Sequence, residues 1–336
     1  MRVPNPLGDQ ILATTALQAI RERYAVAHIT GYGPQSAADL YDGGAWFDEF
    51  LTVDRKGGSW AGAKQLRQRN FDACILLTGS FRTAVVPWLA RIPHRYGYRW
   101  SGRTPLLTGH WRRPRPGGKK APYPTKTYFL DLVAKLGAKG GGRVDLPLSA
   151  VAERLSEEWL ARQGIAPDET VVGLCVGASF GPSKLWPAES FARVAEHLVH
   201  KRGARVIVFC APGEEAIGAA VRTHADCELI DTGLDPLRVR VLKGVIRRCK
   251  LLLTNDTGPR HIAAAYGIPI VCLMGSTDPT YTDTDVDNTI VLRREDVECS
   301  PCHKKVCPID HRCMTWIKPP TAIEAVDTLL DRPSDS

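Results

Sequence analysis

Nowhere in the chain of 336 residues does an apolar run approach the roughly 18 to 20 residues needed to cross a bilayer. The start of the sequence also lacks the basic and apolar regions of a secretory signal peptide, so the expected compartment is the cytoplasm. Acidic residues are missing where basic ones are dense. From Phe81 to Leu130 there are eleven Lys and Arg residues and no Asp or Glu. So one-sided a run fits an anionic partner better than a solvated loop, and by itself it leaves nucleic acid, a membrane surface and a phosphorylated substrate open.

The chain has the 44% hydrophobic and 24% charged residues of a globular protein, with a net charge of +8. Its length suits two domains of about 150 residues each. Of ten cysteines, Cys74, Cys175, Cys210, Cys227, Cys249 and Cys272 lie in or beside apolar, strand-like segments, where reduced cysteine acts as a small hydrophobe. In the C-terminal half strands alternate with helices. Strands are expected at Val171–Val176, Ala204–Cys210, Cys227–Ile230, Leu251–Leu253 and Ile268–Met274, and helices at Pro187–His200, Glu214–His224, Asp235–Arg248 and Pro259–Tyr266. The pattern predicts an α/β fold with a parallel sheet covered on both faces. The N-terminal half repeats it more weakly, with strands at Ala25–Thr30 and Phe71–Thr78, a helix capped by Ser80 and a long basic loop from Ser101 to Pro124. Two doubly wound domains with a cleft between them are expected, at 1–150 and 151–318, with ligands at the carboxyl ends of strands.

Two loops of the C-terminal half fall at such ends. Asn255-Asp256-Thr257-Gly258-Pro259 follows a strand, and Pro259 suits the first position of a helix, where a missing N–H costs nothing. The turn fits either an ordinary helix cap or an anion site built from free N–H groups and the helix dipole. Gly177 to Pro187 has the same placement, with small residues for close backbone approach and Lys184 as a mobile cation for a diphosphate. A third loop, Ala211 to Glu215, offers carboxylates that could hold a ribose diol or simply face a helix dipole.

Four stretches carry a resemblance: residues 4–24 (PNPLGDQILATTALQAIRERY), 71–98 (FDACILLTGSFRTAVVPWLARIPHRYGY), 177–198 (GASFGPSKLWPAESFARVAEHL) and 255–279 (NDTGPRHIAAAYGIPIVCLMGSTDP). In this order they resemble glycosyltransferase family 9, most of all its lipopolysaccharide heptosyltransferases of the heptosyltransferase II branch. The resemblance implies a GT-B architecture of two Rossmann-like domains and an inverting transfer of heptose from ADP-heptose. The acceptor would be a phosphorylated lipid A and inner-core saccharide at the membrane surface, with no nucleic acid as partner and no metal or other cofactor. It implies Asp9 as catalytic base. For the donor it implies Ser179, Lys184, Glu214 (with Glu215 nearly as good), Asp256, Thr257, Gly258 and His261. For the acceptor it implies Ser80, Arg82, Arg95 and Arg99, with His94 beside them. Arg112 to Lys120 would touch the anionic membrane, giving a peripheral place on the cytoplasmic face. The last helix, in residues 319–336, would return to brace the N-terminal domain.

Physical sense attaches to each role. One base must take the acceptor hydroxyl's proton, and it belongs in the domain opposite the donor. Without a metal, the leaving diphosphate must be met by Lys184 and helix N-termini. Cys299, Cys302, Cys307 and Cys313, with His303 and His311 among them, fit either a structural zinc site or packed thiols, and the expectation is thiols without metal. The family has a strand before the Leu7-Gly8-Asp9 loop, where this chain has Met1, Arg2 and Val3, so the first strand is expected to be missing or truncated. Rival readings are a family 9 enzyme with another donor or acceptor, a GT-B-like sugar-nucleotide epimerase with further acid and base groups, and a non-catalytic nucleotide-sugar-binding protein.

Overall fold

The computed structural model describes residues 1–53, 57–114, 122–140, 142–282 and 288–332, which divide into two compact units. The first holds Met1–Pro147 and, from further along the chain, residues 280–282; the second holds the rest from Leu148 on. No helix among the described residues is long and apolar enough to cross a membrane.

The first unit runs α1 (Leu7–Leu12), α2 (Thr14–Arg23), β1 (Thr30–Gly33), α3 (Gln35–Tyr41), β2 (Glu49–Thr52), α4 (Gly58–Arg67), β3 (Ala73–Leu76), α5 (Phe81–Leu89), β4 (His94–Arg99), β5 (Gly109–Arg112) and α6 (Thr125–Ala134). Its strands are parallel and form two ladders, β1-β2 and β3-β4-β5. The expected strand at Ala25–Thr30 lies later, in β1, and Val26 is fully exposed. Gly31 and Gly33 of β1 serve close packing. A Cβ on Gly31 would come within 2.3 Å of the Phe50 ring, and one on Gly33 within 2.5 Å of Val3. The long basic loop likewise contains a strand, β5, whose Trp111 stacks on Tyr96.

The first strand is not lost. Met1 to Val3 lie between the two ladders, with Arg2 bridged in parallel to both Tyr32 and Leu76. The Arg2 N–H donates to the Ile75 carbonyl at 2.8 Å, Val3 N–H to Tyr32 at 3.0 Å, Tyr32 N–H to Met1 at 2.8 Å and Leu77 N–H to Arg2 at 3.0 Å. Three residues fill the central position because a strand satisfies neighbours on both edges at every step.

The second unit runs α7 (Ala150–Arg162), β6 (Val171–Cys175), α8 (Ala188–Arg202), β7 (Arg205–Phe209), α9 (Glu215–His224), β8 (Ile230–Asp231), α10 (Val239–Arg248), β9 (Leu251–Asn255), α11 (Gly258–Ala265), β10 (Ile270–Leu273), β11 (Thr289–Leu292), α12 (Arg312–Thr315) and α13 (Pro319–Leu330). One parallel sheet results, in the order β11-β10-β9-β6-β7-β8. Its central strands are buried on both faces, which is why they read as unbroken apolar runs. Helix α8 turns Phe191, Val194, Ala195 and Leu198 into the core and stops at Gly203, whose φ of 60° suits glycine.

The last helix joins the core of the second unit. Ala322, Val326 and Leu329 of α13 belong to the core of the second unit with Leu198 of α8 and Leu253 of β9. The His197 ring on α8 meets the Asp327 carboxylate at 3.0 Å. An apolar stripe on α13 finds its cover there.

Candidate functional site

In the first unit the chemistry gathers where the loop before α1 turns. The fully buried Gln10 side chain donates to the carbonyls of Pro4 at 3.2 Å and Asn5 at 2.8 Å, and the Tyr41 hydroxyl donates to the Gln10 carbonyl at 2.9 Å. These bonds hold Asp9 in the first turn of α1, on the wall of a cavity of about 470 Å³ shared with Thr78, Ser80, Trp100, Arg113 and Tyr128. The Asp9 carboxylate has no hydrogen bond or ion pair with any described residue. Burial without a partner disfavours its charge and raises its pKa to about 6. A carboxylate poised there is charged at neutral pH and basic enough to accept a proton.

Around it, Ser80 caps α5 by accepting the Thr83 N–H at 3.4 Å, as expected from the sequence. Arg113, expected with the run Arg112 to Lys120 at the membrane, lines this cavity, and its guanidinium lies over the rings of Tyr128 at 5.1 Å and Trp100 at 5.8 Å, a cation–π setting. Arg82, Arg95 and Arg99 do not line this cavity. Arg95 is committed elsewhere: its guanidinium donates to the carbonyls of Leu106 at 2.7 Å, Pro93 at 3.3 Å and Ile92. It braces the β4-β5 connection. Arg82 is exposed in the first turn of α5, and Arg99 is half-buried at the end of β4, in register with Arg112. Residues 115–120 of the basic run lie outside the described residues. A cavity of similar size, about 500 Å³, opens around Thr30 and Ala73, at the amino ends of β1 and β3, where doubly wound sheets do not hold ligands.

In the second unit two loops meet at the carboxyl ends of β6 and β9. Asn255 joins them. Its buried amide donates to the Val176 carbonyl at 2.8 Å and accepts the Trp186 N–H at 3.1 Å. Lys184 then reaches Asp256, with Nζ 2.5 Å from a carboxylate oxygen and 3.0 Å from the Asp256 carbonyl. The Thr277 hydroxyl donates to the same carboxylate at 2.7 Å and Arg260 donates to its other oxygen at 3.1 Å. Burial alone would raise the Asp256 pKa, but Lys184 and Arg260 with the bonds from Lys184 and Thr277 overcome it and bring it to about 2. Asp256 is thus an ion-pair centre. Helix α11 has no side-chain cap, its N-cap is Thr257 and Gly258 is its first residue, so Pro259 comes one position later than expected. His261 is buried one turn on. Burial, then the Arg260 charge, lower its pKa to about 3, so it is neutral, and its ring bonds to no described residue.

Glu214 lies against the same β6 loop. A Cβ on Gly177 would fall 1.7 Å from a Glu214 carboxylate oxygen, and that carboxylate accepts the Ala211 N–H at 2.9 Å. Glu215 instead accepts the Gly213 N–H in an exposed turn. Ser179 is exposed in the loop beside Phe180, whose ring sits 5.1 Å from the Lys184 ammonium.

The cysteine-rich segment supports this loop. Ser183 N–H donates to the Lys305 carbonyl at 3.1 Å, the His311 ring bonds the Ser183 carbonyl at 2.9 Å, and His303 N–H donates to the Ser276 carbonyl at 2.8 Å. Cys313 is buried, Cys302 and Cys307 are half-buried and Cys299 is exposed. Among the described residues no three His, Cys, Asp or Glu side chains converge as metal ligands. Asp283, Asp285 and Asp287 have the alternate spacing of an acidic metal-binding pair, and they lie outside the described residues.

Residues 59–312 match the family model described as "Glycosyltransferase family 9 (heptosyltransferase)". The chain belongs to glycosyltransferase family 9. Among family 9 relatives, "Lipooligosaccharide heptosyltransferase 2" of Haemophilus influenzae is 29% identical over 360 residues, covering 97% of each chain. "Lipopolysaccharide heptosyltransferase 2" of Escherichia coli is 28% identical over 298 residues, covering 83% of each. The solved structure of E. coli ADP-heptose lps heptosyltransferase II superposes with a TM-score of 0.79 at 23% identity, over 98% of this chain and 97% of that one. The fold is therefore the GT-B fold of these enzymes, with two parallel α/β units.

Proposed function

We propose that this family 9 protein transfers heptose, with inversion, from ADP-heptose to the inner core of lipopolysaccharide. Two observations, one in each unit, support the reading: a carboxylate, Asp9, without a partner among the described residues and with its pKa at about 6, and a lysine, Lys184, held by Asp256 at the head of α11. The relatives' names supply the sugar and acceptor.

In the reaction the acceptor hydroxyl oxygen bonds to the anomeric carbon of heptose while the bond from that carbon to the diphosphate breaks. Asp9 takes the hydroxyl proton, and ADP leaves with the bonding electrons. The negative charge that grows on ADP is met by Lys184 and by the positive end of the α11 dipole. Glu214 suits the ribose diol as a double acceptor, with Gly177 giving its carboxylate room. Ser80, Arg82 and Arg99 remain the acceptor-side candidates, joined by Arg113, and the acceptor's lipid anchor places the enzyme at the cytoplasmic face of the inner membrane.

The test is ADP release from ADP-heptose and a heptose-accepting core lipid, with wild type and Asp9→Asn side by side. Release by wild type and its loss in the variant is the expected outcome. No release by wild type overturns the reaction; full release by the variant overturns only the base.

A further inference from the structure

The helices α4 and α5 are neighbours. A Cβ on Gly62 would meet Val86 at 3.2 Å, and the Arg67 guanidinium donates to the Leu89 carbonyl. Their inner faces carry Ala63, Leu66, Ala84 and Val86 into the core of the first unit. Their outer faces are unusual for a globular surface, because three large aromatics stand in water: Trp60 is 72% exposed, Phe81 49% and Trp88 47%. Phe81 and Trp88 are seven residues apart and so share one stripe of α5, while Trp60, Lys64 and Arg67 line one shallow pocket on α4.

The charge on this face has one sign. Lys64, Arg67, Arg82 and Arg91 are exposed on or just beyond the two helices, and neither helix contains an Asp or Glu. Cations mixed with tryptophan and phenylalanine, without carboxylates, match an anionic bilayer interface: the rings take the headgroup level and the cations the surface potential. A protein partner's core contact would be depleted in charge instead. The face also starts where an acceptor would enter, since Ser80 and Thr83, at the head of α5, line the cavity that holds Asp9.

We infer that the α4-α5 face, through Trp60, Phe81 and Trp88 and the cations Lys64 and Arg67, docks the protein on an anionic lipid surface. This rests on the reading of the first unit as the acceptor half, and it assigns the contact to described helices in addition to the basic loop. Docking of this kind gathers enzyme and a lipid-anchored acceptor in one plane.

The experiment is flotation of the full chain with vesicles of phosphatidylcholine, alone or mixed with phosphatidylglycerol, for wild type, a Trp60→Ala/Trp88→Ala variant and Lys64→Glu. ADP release is measured in parallel on acceptor in vesicles and on a soluble, delipidated core saccharide. Wild type should float with the mixed vesicles only, less so at high salt, and both variants should lose about tenfold or more of that binding. Their turnover on the soluble acceptor should match wild type while turnover on vesicles falls. Wild type that ignores the mixed vesicles, variants that bind as well as wild type, or a wild-type oligomer that the Trp60/Trp88 variant dissolves would each overturn the docking. If vesicle binding behaves as stated and neither acceptor supports ADP release, the transferase reading fails and the docking stands.

Discussion

The Lys184 ammonium stands 2.5 Å from the Asp256 carboxylate, in a pair of which both side chains are nearly out of solvent. The lysine is already partnered, so a donor diphosphate must draw it from Asp256 while Arg260 and Thr277 keep the carboxylate satisfied. Replacing Lys184 by Met should raise the donor KM by roughly tenfold to a hundredfold, the worth of one charge-assisted contact. It should also cost about 1 to 3 kcal/mol of stability, below the usual figure for halving a buried pair because two partners remain. Donor titration together with urea unfolding checks both.

Asp9→Asn keeps the shape and removes the proton acceptor. Turnover should fall on the order of 10² to 10⁴-fold. Stability should move the other way. A carboxyl whose pKa rises from 3.8 to about 6 on folding costs the native state nothing when protonated and increasingly destabilises it as pH climbs between these values. The variant should therefore exceed wild type by on the order of 2 to 3 kcal/mol at pH 8 and match it near pH 3. An inactive variant no more stable than wild type at pH 8 would contradict the burial of this charge.

The pH profile follows from the same group. kcat/KM should fall on the acid side with a midpoint at about 6, tenfold for each further unit, as Asp9 protonates. Asp256, at about 2, stays ionised and His261, at about 3, stays neutral over that span, so neither adds an inflection. A midpoint near 4 would show a solvated Asp9.

Two arginines separate binding from scaffolding. Arg113→Ala should raise the acceptor KM while leaving the free energy of unfolding within about 0.5 kcal/mol of wild type. Arg95→Ala should lower stability by roughly 1 to 3 kcal/mol, because three carbonyls lose their donor, and leave the acceptor KM of the folded enzyme in place. The reverse pattern would exchange their roles.

Two glycines of one loop should also differ. At Gly177 the obstacle to a methyl group is the end of a flexible side chain, Glu214, which can swing away; Gly177→Ala should weaken donor binding with little change in stability. At Gly181 the obstacle is the Lys305 backbone, 2.5 Å off, and φ is +150°; Gly181→Ala should lower the melting temperature by several degrees.

The second unit was legible because its central strands are buried on both faces and read as plain apolar runs such as Val171 to Val176, each closed by a turn or a helix start. The first unit was less so. Glu49–Thr52 has too little periodicity to stand out as β2, and Gly31 and Gly33 look like loop residues until Phe50 and Val3 are seen against them. At the site, Lys184 and Asp256 were readable as a cation and an acid at the carboxyl ends of two strands. That they are partners, and that Thr277, Asn255 and Arg113 complete the two halves, depends on side-chain direction and on segments far apart in the chain. Only packing decides that Arg95 turns to carbonyls and α13 to its own unit.

The contact between Ser183 and the Lys304-Lys305 backbone has a consequence in time. The loop that carries Lys184 acquires these carbonyl partners from a segment 121 residues further along. During synthesis the sheet of the second unit can begin to pair while this loop still lacks its brace. The loop that carries Lys184 therefore gains its brace only once residues 304 and 305 have been made, and a nascent chain stopped before the cysteine-rich segment carries Lys184 and Asp256 without the support that shapes their loop.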